Sequence, residues 1–387
     1  MPESAAASFR LEAVSSALCR LGNRTKVFTT KFENAPANQV RRFPSGGVLN
    51  VRRWPVLRDK SGYVRGYLPY ISFDVPLFFR LLLGRKPQVL LVEPPPTTGA
   101  ISRAVCAIRR VPYVWYAADV WSDATRTAGA PGFVSRVVEA LEKFAMRGAA
   151  GVVAVSDGVA ERVKELGAQN VLVVPNGIDT LTYCPDVEPL SVSDLSDLGI
   201  TGRYLLYAGT ASEWQEAEIF ASSLEPVLRE SSDLQLVYVG QGARWDQIGD
   251  IASHLNSTLG RAAVLQLGQR LPTEVARLLR GAEFALVSLA PGKGYDFAYP
   301  TKVLAALAAG TPVIYSGTGQ VANDIREHGL GYVAEHAEAG VESAVSLALR
   351  AGRSEFDPAS LHAWVVENRS LQAMGDKVAA FLLECAS

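Results

Sequence analysis

The sequence predicts an α/β protein of two doubly wound, Rossmann-like domains facing across a cleft. Three observations carry this. Short continuous apolar runs, such as 89–92 and 284–289, are bounded by turn residues, as expected of strands buried on both faces. These runs alternate with longer stretches at helical spacing, the pattern of strand–helix–strand units. The alternation runs twice around a polar break at 185–201, and 387 residues exceed what one core usually holds.

In order, 6–21 has apolar positions at helical spacing and ends at Gly22, and 25–30 (TKVFTT) reads as a strand. Residues 34–44 are loop-like. From Arg41 to Lys86, ten Arg or Lys face two acids, Asp59 and Asp74, interleaved with Trp54, Tyr63, Tyr67, Tyr70, Phe73, Phe78 and Phe79. The apolar run 77–83 is too short for a membrane span and contains Arg80. A strand at 89–92 runs into Glu93 and three prolines, followed by a helix over 98–109. The next strand, 113–116, ends at Asp119. An amphipathic helix over 133–146 precedes a strand at 151–155, which opens through Ser156 and Asp157 into a helix over 158–166. Strand 171–174 leads to the turn PNGID at 175–179.

After the break, strands are predicted at 204–207, 234–239, 264–267 and 284–289, and helices at 216–229, 245–255 and 273–281, the last opened by Pro272. The stretch YDFAYPTKVLAALAAGTPVIYSG (295–317) has an extended, proline-broken entry and then a helix-prone run, 301–309. Thr301 is suited to cap it, Gly310 to the left-handed position after it, and Pro312 to stop it before a buried strand from Val313. The free N–H groups and positive end of such a helix suit a phosphate, and Lys302 adds a full charge. Helices at 341–350 and 371–383 close the chain. The expected domains are 1–180, a linker at 181–201, 202–362, and a closing segment 363–387 placed to pack back on the first domain.

Ligands of such sheets bind outside the carboxyl ends of the strands. The candidates are therefore Glu93, Asp119, Ser156, Asn176, Gly209, Gly240, Gly268 and 290–302. Several functions are disfavoured. A net charge of −1 argues against a chain-wide nucleic-acid binder. The four cysteines, without a CxxC pair, read as reduced residues of a cytosolic protein, and no signal peptide is expected. Gly240-Gln241-Gly242 is followed by Trp245 where a dinucleotide fingerprint needs a third glycine. There is no GxSxG and no Walker loop. The four histidines lie in the second half without metal-ligand spacing, so no metal is expected. Asp119 and Asp123, after an aromatic strand, suit positioning a substrate hydroxyl or stabilising positive charge; a turn or cap role is the alternative.

These residues carry a resemblance. VAVSDGVAERVKELGAQNVLVVPNGID (153–179) resembles the interdomain crossover of retaining family 4 glycosyltransferases, which have the GT-B fold. Tyr207-Ala-Gly-Thr210, Val239-Gly-Gln-Gly242, Leu267-Gly268 and PTKVLAALAAGTPVI fit that family in the same order. Asp119-Val-Trp-Ser122 resembles the "DLWP" of the branch that transfers amino sugars in surface-polysaccharide synthesis. The resemblance implies a cytoplasmic enzyme at the inner membrane face, moving a hexosyl or N-acetylhexosaminyl unit from a nucleotide-sugar, UDP-linked ahead of GDP-linked, to a lipid-linked or glycan acceptor. It needs no separate cofactor.

Position by position, the resemblance places Gly209, Thr210, Gly240, Gln241, Gly242, Gly268, Arg270, Tyr299, Pro300, Thr301 and Lys302 at the donor, and Asp119 beside the reacting sugar. The acceptor side falls on the basic aromatic segment, with Arg52, Arg53, Trp54, Arg58, Lys60 and Arg65 suited to an anionic membrane surface. Three departures accompany it. Phe297 and Ala305 stand where the family commonly has glutamates, the second of which binds ribose. The loop after Gly209 lacks the family's lysine and carries Glu213, Glu216 and Glu218. The family's first strand is also missing before 1–10: either the chain starts too late, and an apolar strand is expected to be encoded in frame upstream, or the first sheet has lost its central strand. A glycosyltransferase-like partner or scaffold subunit, and a sugar-nucleotide epimerase, are the alternative functions.

Overall fold

The computed structural model describes residues 6–32, 36–58, 64, 66–127, 131–293, 295 and 298–386. The chain divides into two compact units, Met1–Asn176 with Leu371–Ser387, and Gly177–Ser370.

The first unit opens with helix α1 (Ala6–Arg20), strands β1 (Arg24–Thr30), β2 (Asn38–Arg42) and β3 (Val48–Trp54), and helix α2 (Tyr67–Leu83). It continues through β4 (Leu90–Val92), α3 (Pro96–Arg109), β5 (Tyr113–Ala117), α4 (Trp121–Thr127), α5 (Gly132–Arg147), β6 (Gly151–Ala154), α6 (Asp157–Glu165) and β7 (Val171–Val173). Its strands form two sheets. One has the order β1-β3-β2, and the other, β4-β5-β6-β7, is parallel throughout. β1 and β4 are outer strands of their sheets, and no ladder joins them among the described residues. Their side chains share one cluster, Phe28 of β1 and Leu90 of β4 both packing on Leu77, Leu81 and Val105. β5 is buried along its whole length, consistent with a strand covered on both faces. The chain's last helix, α16 (Leu371–Cys385), packs Met374, Val378 and Leu382 against Val114, Tyr116 and Val153 of this sheet.

The second unit runs α7 (Val192–Asp197), β8 (Arg203–Thr210), α8 (Glu218–Ser223), α9 (Glu225–Glu230), β9 (Leu234–Gln241), α10 (Trp245–Leu259), β10 (Val264–Leu267), α11 (Pro272–Gly281), β11 (Phe284–Ser288), α12 (Thr301–Ala308), β12 (Val313–Ser316), α13 (Gln320–His328), β13 (Gly331–Ala334), α14 (Glu338–Ala351) and α15 (Pro358–Arg369). Its six parallel strands lie in the order β10-β9-β8-β11-β12-β13. This order reverses between β8 and β11, and the crevice at such a switch point is where open α/β sheets bind ligands.

Two expectations are corrected here. The segment expected as a linker contains α7, opened by a capping box between Ser191 and Asp194, and its Leu190, Leu195 and Leu198 pack on the second unit's core. The helix expected over 216–229 is two short helices, because Pro226, in the first turn of the second, lacks the N–H that would continue the first.

Candidate functional site

The candidate donor site is built where β8 and β9 end. Their ladder runs to the last pairs, Gly209↔Gly240 and Thr210↔Gln241, and the Ala211 N–H then donates to the Gln241 carbonyl at 2.8 Å. Gly240 has φ 143°, and a Cβ there would lie 2.2 Å from the Gly209 carbonyl oxygen, so only glycine fits. A Cβ on Gly209 would lie 2.6 Å from Cε of Lys302. The chain thus leaves backbone rather than side chains at this edge, with the lysine stem laid across it.

Lys302 comes from the first turn of α12, which the apolar set Val303, Leu304, Ala306, Leu307 and Ala308 holds in the core. Thr301 does not cap this helix. Pro300 occupies the N-cap in an extended conformation without a side-chain hydrogen bond, and Thr301 is the first helical residue. The first-turn N–H groups therefore lack a side-chain acceptor, the condition that favours an anion. The Lys302 ammonium sits 5.4 Å from the centre of the Tyr207 ring. Burial lowers its pKa to about 8, and no described carboxylate forms an ion pair with it.

The acidic loop after β8 is compensated. Glu216 adopts a left-handed φ of 46°, unusual for a side-chain-bearing residue. Its carboxylate meets Lys293 Nζ at 3.0 Å and His336 Nε2 at 3.2 Å, while His336 Nδ1 lies 2.9 Å from Ser316 Oγ. Burial pushes the Glu216 carboxyl up, but Lys293 and His336 together hold it below the usual value. Glu218 is buried 3.5 Å from Arg244 Nε, and Glu213 is exposed. The expected surplus of negative charge is thus limited by two cations, Lys293 and Arg244, with His336 as a further hydrogen-bond partner of Glu216. Trp214 from this loop stacks on Tyr295 at 4.6 Å, and its carbonyl accepts from the Ala290 N–H.

Other expected donor residues are placed differently. The Tyr299 hydroxyl donates to Asp324 at 3.1 Å, and its ring lies under Arg369, so the fold itself uses this side chain. Ala305 is buried in the core and brings no carboxylate. Phe297 and its neighbour Asp296 lie outside the described residues. Gly268 and Arg270 follow β10, two strands from β8, and Arg270 lies 3.9 Å from Glu274.

In the first unit, Glu93 and Asp119 follow the adjacent parallel strands β4 and β5. Arg10 of α1 donates from Nε and Nη2 to Glu93 at 3.2 and 3.5 Å and lies 5.2 Å from the centre of the Tyr116 ring. Burial raises the Glu93 carboxyl against the pull of Arg10, and the neighbouring Asp119 raises it further. Asp119 itself is accessible, yet the surrounding protein raises its carboxyl, again opposed by Arg10. The result is an accessible carboxylate backed by a buried, ion-paired one.

Asp123 does not join it, since Arg162 and Arg126 hold it at 2.8 and 3.0 Å. Ser156 is occupied as the cap of α6. Arg53, expected at the acceptor surface, is buried and donates to the Pro36 carbonyl and Gln39, so it belongs to the interior. Arg58 donates to Thr30 and the Lys31 carbonyl, Trp54 is 40% exposed, and Lys60 and Arg65 lie outside the described residues.

Comparison with known proteins agrees with this architecture. Residues 8–181 match the model of Glycosyltransferase Family 4, and residues 202–350 that of Glycosyl transferases group 1. No curated protein matches. Among solved structures, Anabaena HepE in complex with UDP and glucose shares 16% identity and a TM-score of 0.63, over 99% of this chain and 96% of that one. A UDP-forming α,α-trehalose-phosphate synthase from Burkholderia xenovorans shares 14% identity at a TM-score of 0.69, over 97% and 96% of the two chains. Sucrose-phosphate synthase from Thermosynechococcus elongatus shares 17% identity at 0.63, over 97% and 90%. Sheets, switch point and matches together define a glycosyltransferase fold. The chain belongs to the GT-B glycosyltransferases, with a family 4 domain in its first half and a group 1 domain in its second.

Proposed function

We propose that the protein transfers a hexosyl or N-acetylhexosaminyl unit, with retention of configuration, from a UDP-sugar to a lipid-linked or glycan acceptor of surface-polysaccharide synthesis at the cytoplasmic face of the membrane. The observation that carries this is Lys302. An ammonium without a described carboxylate partner, laid against Gly209 at an uncapped helix N-terminus, is arranged for a diphosphate. That HepE was solved with UDP and with UDP-glucose supports a uridine donor.

In this reading charge develops on the leaving diphosphate as the glycosidic bond breaks. Lys302 and the first-turn N–H groups of α12 stabilise that charge, the effect that contributes most in such transfers. Thr210 and 240–242 approach the donor through backbone. Asp119 serves the reacting sugar, as an anion beside the developing positive charge or as a hydroxyl acceptor. A second reading, a partner or scaffold subunit without turnover, is favoured by Ala305, which leaves the ribose without the expected carboxylate.

The test is release of UDP or GDP from a panel of nucleotide-hexoses and N-acetylhexosamines incubated with the protein and a total lipid extract. Release from at least one UDP-sugar, lowered about a hundredfold by Asp119→Asn, is the expected result. Release from none of them supports the scaffold reading.

A further inference from the structure

The outer face of α2 carries an observation that the transfer chemistry does not use. Its exposed described side chains are Leu68, Ile71, Val75, Phe79 and Leu83, between 48% and 79% accessible, and not one is polar. Their spacings of three and four residues place them within an arc of about 120° over roughly 22 Å of helix. Asp74, Leu77 and Leu81 occupy the opposite, buried face. Exposed Leu57 adjoins the stripe, its N–H donating to Ser72 Oγ at 3.0 Å. An apolar stripe of this length is costly to leave in water.

Charge beside the stripe identifies what covers it. Arg80 of α2 lies 4.3 Å from the centre of the Phe28 ring and 5.4 Å from that of Trp54, and its buried Nη1 lacks a hydrogen-bond partner. Arg52 of β3 and Lys26 of β1 are close enough that burial and their mutual repulsion lower Lys26, and burial and Arg52 lower Arg80. No described carboxylate pairs with any of the three. Arg85 and Lys86 follow the helix, both exposed. A second copy of this surface would bring cations against cations, whereas an anionic headgroup neutralises them, and Trp54 suits the boundary between headgroups and acyl chains.

We propose that α2 lies in the plane of an anionic bilayer, with its stripe among the acyl chains and Lys26, Arg52 and Arg80 on lipid phosphate. The helix rests on the membrane and does not cross it; no described helix is long and apolar enough to span one. The proposal deepens the lipid-linked reading of the acceptor and rests on it for its setting.

The test is sedimentation of the full chain with vesicles of phosphatidylcholine alone and of phosphatidylcholine with an equal share of phosphatidylglycerol. Binding to the anionic vesicles is expected to be at least about tenfold stronger. Val75→Asp with Phe79→Asp removes binding to both, and Arg52→Glu removes the preference for the anionic lipid. UDP titration and melting curves on each variant show that the second unit and the fold are intact. Equal binding to both vesicles, no binding to either, or variants that sediment like the parent would overturn the proposal. So would a dimer in sedimentation velocity that the double variant dissolves. Vesicle binding by a chain that binds no UDP would defeat the transfer reading and leave this one standing.

Discussion

At the residue scale the account turns on Lys302. Burial lowers its pKa from 10.5 to about 8, so folding favours the neutral amine and the charged form costs stability. The unfolded chain binds more protons than the folded one between about pH 8 and pH 10.5, so this residue's contribution to stability rises with pH across that window. Lys302→Met is therefore expected to raise the melting temperature at pH 7, while weakening UDP binding at least about tenfold; a variant that melts lower and binds UDP unchanged would remove Lys302 from the site. Arg10→Gln is expected to be destabilising by about 3–5 kcal/mol in urea unfolding, because it leaves Glu93 buried without its partner. A loss below about 1 kcal/mol would show that Glu93 protonates at no cost. Lys302 and Asp119 were legible as strand-end and helix-start residues. Arg10 was not, because its partner Glu93, a strand-end residue, lies 83 residues away and the Arg10 position itself has no local signature. The same holds for His336 and Glu216, 120 residues apart.

At the scale of elements, most strands follow directly from their apolar runs, and α12 forms nearly over the stretch expected of it. The misses have physical causes. Thr301 is a natural capping type, but Pro300 takes the cap position and draws Thr301 into the first turn. Pro226 splits a helix whose periodicity runs through it. The face of α2 was not legible, because its apolar residues are separated in sequence and come together only through the helical repeat. On its inner face, α2 buries Asp74 against α3, with Thr98 Oγ1 donating to Oδ1 at 2.5 Å and Oδ2 unpartnered. Burial raises this carboxyl, so Asp74 costs no stability below the ordinary aspartate range and costs progressively more as pH rises through its shifted value. Asp74→Asn, which keeps an acceptor for Thr98 and carries no charge, is expected to melt higher than the parent at pH 8 and the same or lower at pH 4. A lower melting temperature at pH 8 would show that the ionised form is the stabilising one.

At the scale of the molecule, the doubly wound class was legible because buried parallel strands leave an unambiguous pattern, and the switch point of the second sheet then fixes where a ligand can sit. The division of the first unit into two sheets was not a matter of composition or periodicity. It depends on which strands are neighbours, and pairing of distant strands leaves little trace in a single sequence. The same limit applies to the proposed donor site, whose glycines were legible singly while the approach of Lys302 to Gly209 was not. The measurement that tests the central claim most directly is calorimetric titration of UDP into the folded wild-type chain and into Lys302→Met, at pH 7 and pH 9. One site is predicted in the wild type, weakening as pH rises through about 8, with weaker and pH-insensitive binding in the variant. Folded wild-type protein that takes up no UDP at either pH would contradict the account.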